Sequence, residues 1–204
     1  MNIRLHKRDL PDGLDLGPAV AIDTETMGLN INRDRLCLVQ CSSGDGIAHL
    51  VQIERSQPPH APNLTRLLAD ERVLKIFHYA RFDVAVLKRT LGVTARPIYC
   101  TKIASRLVRT FTDRHGLKDL AKDLANVDLA KQQQSSDWGA TELTQEQLAY
   151  AASDVLHLHV LKTRLDEMLA REGRTHLAAA CFAFLPFRAE LDLAGWADQD
   201  IFQH

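Results

Sequence analysis

The apolar run at residues 19–22 gives way at once to Asp23-Thr24-Glu25 and then Gly28, which predicts a buried strand ending in two carboxylates and a turn. Side chains two apart on a strand point the same way, so Asp23 and Glu25 are expected on one face. Residues 36–40 and 47–51 read as two further strands joined through Ser42-Ser43-Gly44-Asp45-Gly46, and these first three strands are expected to pair antiparallel. Residues 62–70 predict a helix with Leu64, Leu67 and Leu68 on one face, and residues 73–77 a buried strand. From 81 to 91, Phe82, Val86 and Leu87 recur at helical spacing, which places Asp83 in the first turn of a helix that follows a strand. A short strand at 98–101 and helices at 102–108 and 117–124, the last entered through Gly116, complete the middle of the chain.

Residues 131–138 are polar and predict irregular structure, within which Trp138 reads either as a lid packed on the core or as a substrate contact. Thr144 and Gln147 have the spacing of a capping box. The helix they open is expected to run to about Arg171 and to end at Gly173. On it Tyr150 and Asp154 are four residues apart and share a face. Strands alternating with helices after an antiparallel start predict an α/β fold, a mixed central sheet with helices on both faces.

Size and composition narrow this picture. A chain of 204 residues that is 46% hydrophobic suffices for one sizeable core, so a single domain over 1–204 is expected. No apolar run approaches the roughly 20 residues of a membrane span, and the polar start lacks the apolar region of a signal peptide. A soluble, cytoplasmic protein is the expectation. Cys37, Cys41, Cys100 and Cys181 show no ligand or disulfide spacing and read as reduced thiols. The formal net charge of -1 argues against coating of long nucleic acid by a broad basic surface, while a short polyanion remains compatible. Five of the twelve aromatic residues, Phe182, Phe184, Phe187, Trp196 and Phe202, fall in residues 176–204, which either close the core or form a subunit interface.

Two like charges side by side repel unless something positive lies between them, and a divalent cation is the simplest candidate, the alternative being a strand end with solvated acids. The order of the acids sharpens the choice: a strand with D-x-E, a strand-then-helix carrying Asp83, and a late helix carrying Y-x-x-x-D. On IDTETMGL (22–29), FHYARFDVAVL (77–87) and QLAYAASDVLHL (147–158), the chain resembles the 3′-5′ exonucleases of the DEDD group, tyrosine subclass, in the ribonuclease D branch, whose catalytic fold is ribonuclease H-like (DnaQ-like). TKIASRL (101–107), DRHGLKDL (113–120), KQQQSSDW (131–138) and LDLAGWADQDIF (191–202) extend the resemblance to the nano-RNase C group of short relatives. Position 149 is Ala, which excludes the histidine subclass.

The resemblance implies that Asp23, Glu25, Asp83 and Asp154 bind two divalent cations, Mg²⁺ or Mn²⁺, roughly 3.5–4 Å apart. It implies that Tyr150 orients the attacking water. Hydrolysis would then release nucleoside 5′-monophosphates from short single-stranded RNA, 5′-phosphorylated dinucleotides above all. Leu29 is expected to wedge between the terminal bases, with core packing as the alternative. His78 and Phe82 could touch the terminal sugar or base, Phe82 reading more as core. Lys131, Gln134 and Ser136 offer donors for a 5′-phosphate. The resemblance further implies a homo-octamer without the helical RNA-binding (HRDC) domains of typical ribonuclease D, and no membrane partner. DNA, including duplex DNA, is the alternative substrate, and a catalytically silent nucleic-acid-binding module is the reading from another class.

Overall fold

The computed structural model describes residues 1–55, 59–129 and 136–203. Its six-stranded sheet has the order β1-β4-β3-β2-β5-β6. Strands β2 (Ala19–Thr26), β3 (Leu36–Ser42) and β4 (Ile47–Gln52) form the expected antiparallel unit. Strands β5 (Leu74–Phe77) and β6 (Ile98–Cys100) extend it in parallel beyond β2. Sequence periodicity missed β1 (Asn2–Lys7), which pairs parallel with β4 at the opposite edge. Only one side of an edge strand meets the sheet, so its residues stay mostly polar and exposed.

The period of two along β2 sorts its side chains between two cores. Val20 and Ile22 join Val39 and Phe77 on one face, under α1 (Pro62–Ala69), α2 (Ala80–Leu91) and α7 (Thr175–Leu191). Ala21, Leu38, Leu50 and Ile76 point to the other face, under α5 (Gln145–Leu156) and α6 (Leu158–Arg171). Helices α3 (Thr101–Val108) and α4 (Leu117–Ala125) pack against α6. Helices thus cover both faces.

The capping box is present, Thr144 Oγ1 accepting from Gln147 N at 3.2 Å while Gln147 Oε1 accepts from Thr144 N at 2.9 Å. The single long helix expected up to Arg171 is instead two. The backbone breaks at His157 (φ -106°, ψ -6°), so that α5 follows β2, β3 and β4 while α6 turns its Leu158, Leu161, Leu165 and Leu169 stripe toward α3, α4 and α7. Gly173, with φ +64°, closes α6 in the left-handed region where glycine carries no Cβ penalty. The aromatic tail serves the core only in part: Phe182 packs on Tyr99 with ring centroids 4.6 Å apart, whereas Phe187 and Phe202 are exposed. Among the described residues, no helix is long and apolar enough to cross a membrane.

Candidate active site

The site lies where β2 outruns its parallel neighbour. Strand β5 pairs with β2 only at Ala19, Val20 and Ala21, so the carboxyl end of β2 opens into a crevice, the usual ligand position in α/β sheets. Register with β3 shifts between Glu25 and Thr26, whose partners are Leu38 and Leu36. Such an irregularity bends the ladder and re-aims the side chains beside it. The resulting cleft, about 680 Å³, is lined by Asp23, Glu25, Asp83, Tyr150 and Asp154 together.

These residues arrive by different routes. Asp23 and Glu25 continue the Ala21 face of β2, and α5 lies across that face because Ala151 and Ala152, both fully buried, allow close approach. Asp154 is therefore delivered to the strand carboxylates, and oxygens of Asp23, Glu25 and Asp154 lie within 4.8 Å of one another. Asp83 comes from the opposite side of the sheet, on the first turns of α2. There Thr24, whose side chain points away from its neighbours in D-x-E, donates from Oγ1 to Asp83 Oδ1 at 2.6 Å. Gln40 Nε2, on the adjacent strand, donates to Asp23 Oδ2 at 3.4 Å.

So much negative charge in a buried cleft is unfavourable by itself. Burial pushes the Asp23 carboxyl up to about 7. Burial, with the charges of Asp23, Asp154 and Asp83, pushes Glu25 up to about 10. Asp83 and Asp154 are likewise raised, first by burial and then by Asp23. The cluster binds protons when nothing else positive is at hand, and its all-oxygen donor set suits hard divalent cations such as Mg²⁺ or Mn²⁺. Tyr150 is raised by burial and by the charges of Asp154, Glu25 and Asp23, so its phenol keeps its proton at neutral pH.

The rim carries the remaining candidates. Leu29 is 86% exposed at the cleft edge, which overturns core packing as its role. His78 lines the cleft, and Phe82 lines it while packing on the core beneath. Trp138 is buried, lines the cleft and lies obliquely against Tyr150 at 6.0 Å, the packing that its lid reading expects. Ser136 also lines the cleft; Lys131 and Gln134 fall outside the described residues. His159 is bonded at Nε2 to Ser42 O at 3.1 Å, away from the acids. Sequence reasoning missed Thr24, Tyr79 and Lys102. Tyr79 caps α2 in the left-handed region (φ 64°), a strained setting for a tyrosine, and Lys102 Nζ sits 4.2 Å from its ring centroid. The strain has no local signature, but TKIASRL within the resemblance could have flagged Lys102.

Comparison with known proteins places this geometry. Residues 8–170 match a family model described as 3′-5′ exonuclease. Ribonuclease D of Gluconacetobacter diazotrophicus is 36% identical over 170 residues, 82% of this chain and 42% of that protein. The chain thus spans about two fifths of the length of the curated relatives it matches. Brucella melitensis NrnC with bound Mg²⁺ superposes with a TM-score of 0.96 at 56% identity, covering 100% of both chains. Brucella melitensis NrnC bound to pGG gives 0.96 at 57% identity, covering 100% of this chain and 99% of that one.

Proposed function

The chain belongs to the 3′-5′ exonuclease family, and from that premise we propose that it hydrolyses short oligoribonucleotides, 5′-phosphorylated dinucleotides foremost, to nucleoside 5′-monophosphates with two divalent cations. The observation that carries this is the meeting of four carboxylates from both faces of the sheet in one cleft with Tyr150. The likeness over the full chain to an NrnC bound to pGG supports a substrate of dinucleotide size.

In this reading Asp23, Glu25 and Asp154 would hold one cation, and Asp83 together with Asp23 would serve the second. When bound, Mg²⁺ or Mn²⁺ lowers the pKa of water and neutralises charge on the scissile phosphate and the leaving oxygen. The water oxygen forms a bond to phosphorus, the bond from phosphorus to the 3′-oxygen breaks, and that oxygen takes up a proton. The shortened strand keeps a 3′-hydroxyl and the released nucleotide keeps the phosphate. Tyr150, protonated at neutral pH, acts by hydrogen-bonding the water and fixing its line of approach. Thr24 holds Asp83 in one rotamer so that it can receive a ligand without reorganising. Leu29 offers an apolar blade to the terminal bases, a contact that tolerates any sequence.

Exposed Phe187, Trp196 and Phe202 support a homo-oligomeric interface on the C-terminal side, and we extend the proposal to an octamer. Light scattering tests it, a monomer at micromolar concentration overturning it. The activity itself is tested by parallel time courses on 5′-phosphorylated di-, tri- and heptaribonucleotides and matched DNA with Mg²⁺ or Mn²⁺. Fastest cleavage of the dinucleotide is expected, and no cleavage of any RNA overturns the reading.

A further inference from the structure

His78 directly follows β5 and lines the catalytic cleft, and its ring is fixed by a short relay. His78 Nδ1 lies 2.9 Å from Thr101 Oγ1, and the same hydroxyl donates to the Phe77 carbonyl oxygen at 3.2 Å. Thr101 is fully buried, so water cannot rearrange the pair. A hydroxyl has one proton. If Thr101 spent it on His78, its oxygen would face the Phe77 carbonyl oxygen lone pair to lone pair. Both contacts are attractive only when Thr101 donates to Phe77 and His78 donates from Nδ1–H, which leaves Nε2 as a bare acceptor. Burial and the nearby charge of Lys102 hold the ring far below the usual imidazole range, at about 3, so it stays neutral at working pH.

The cleft lining thus includes, beside its carboxyls and hydroxyls, an imidazole nitrogen that can accept a hydrogen bond and cannot donate one. The acidic cluster able to hold a cation consists of Asp23, Glu25 and Asp154, without His78, and hard cations prefer oxygen in any case. Nε2 has no hydrogen-bond partner among the described residues. An acceptor selects donors. At the 3′ end of a nucleic acid the phosphate offers none at neutral pH, and base N–H groups differ from one nucleotide to the next. The groups common to every residue that a trimming enzyme meets are the sugar hydroxyls.

We propose that His78, locked by Thr101 with the proton on Nδ1, is a specificity residue whose Nε2 accepts a hydrogen bond from a sugar hydroxyl of the 3′-terminal nucleotide. This rests on the exonuclease reading above. Thr101 acts as its positioning residue.

The test compares 5′-phosphorylated diribonucleotides with 2′-deoxy or 3′-deoxy versions of the terminal residue under single-turnover conditions. In the wild type, removal of one of the two hydroxyls is expected to slow cleavage about tenfold, the worth of one hydrogen bond of about 1.4 kcal/mol. In His78→Ala that penalty vanishes, so the ribo and deoxy substrates are cleaved at equal rates. His78→Gln, which keeps an acceptor, restores part of it. Ring ¹⁵N shifts of His78 read the relay without any turnover: an unprotonated Nε2 is expected in the wild type, and a tautomer mixture in Thr101→Val. Equal wild-type rates on all three substrates, a penalty unchanged in His78→Ala, or a protonated Nε2 in the wild type overturns the proposal. Failure of the exonuclease reading looks different, since no substrate would then be cleaved.

Discussion

Arg55 Nη2 donates to the carbonyl oxygen of Gly139 at 2.6 Å, and Arg35 Nη2 reaches the same oxygen at 3.3 Å. Gln52 Nε2 bonds Ala140 O at 2.9 Å and Lys7 Nζ bonds Thr141 O at 3.3 Å. Four side chains from the β1, β3 and β4 region thus strap residues 139–141 to the sheet, and the strap holds the neighbouring Trp138 against Tyr150.

Because Gly139 is buried, its carbonyl suffers most when both donors go. Arg55→Ala alone is expected to cost about 1 kcal/mol, and the double variant with Arg35→Ala more than the sum of the singles. Urea melts measure this. Trp138 and Trp196 are the two tryptophans of the chain, so in a Trp196→Phe background the emission of Trp138 should shift to the red in the double variant. Unchanged emission would mean that the arginines do not hold the indole.

Asp23→Asn separates catalysis from stability. Losing a cation ligand should remove several kcal/mol of transition-state stabilisation, a rate loss on the order of 10³. Without metal the same change relieves repulsion among Glu25, Asp83 and Asp154, and should raise stability by about 1–2 kcal/mol. Calorimetry in EDTA checks the second effect, and a lower melting temperature would show that the carboxylates do not oppose one another.

The raised carboxyl pKa values also set a pH dependence. Between the ordinary carboxylate range near 4 and the native values of about 7 for Asp23 and about 10 for Glu25, the folded chain holds more protons than the unfolded one. By linkage, metal-free stability then falls as pH rises through that window. Divalent cations replace the protons, so the gain in melting temperature on adding Mg²⁺ should be larger at pH 8 than at pH 5. An equal gain at both would sink the assignment of the cation to this cluster.

Leu29→Ala should leave stability within about 0.5 kcal/mol, because the side chain is exposed, yet slow cleavage of a 5′-phosphorylated dinucleotide several-fold. Unaffected cleavage rules out the wedge.

Much of the fold was legible because its signals are short in range. The capping box at Thr144 and Gln147 and the helix carrying Asp83 emerged as the periodicities indicated. Strand β1 was not legible, since its Ile3 and Leu5 give a weak alternation and its partner β4 lies some 45 residues on. The break at His157 was missed for a related reason: no proline or glycine marks it, and the bend follows from the different surfaces beneath α5 and α6. Leu29 was ambiguous because an apolar residue after a turn reads alike whether it is buried or displayed.

By itself the sequence determined which chemical groups are present and their spacing along each element: Glu25 two positions after Asp23, Asp154 four after Tyr150. Backbone periodicity turns those spacings directly into shared faces. Only the tertiary structure decided that Asp83 crosses from the far side of the sheet to be held by Thr24, 59 residues away, that Arg55 straps a loop 84 residues on, and that Thr101 sets the proton of His78 across 23 residues. Such contacts depend on strand order and on helices packing over a sheet edge, and no local period encodes either.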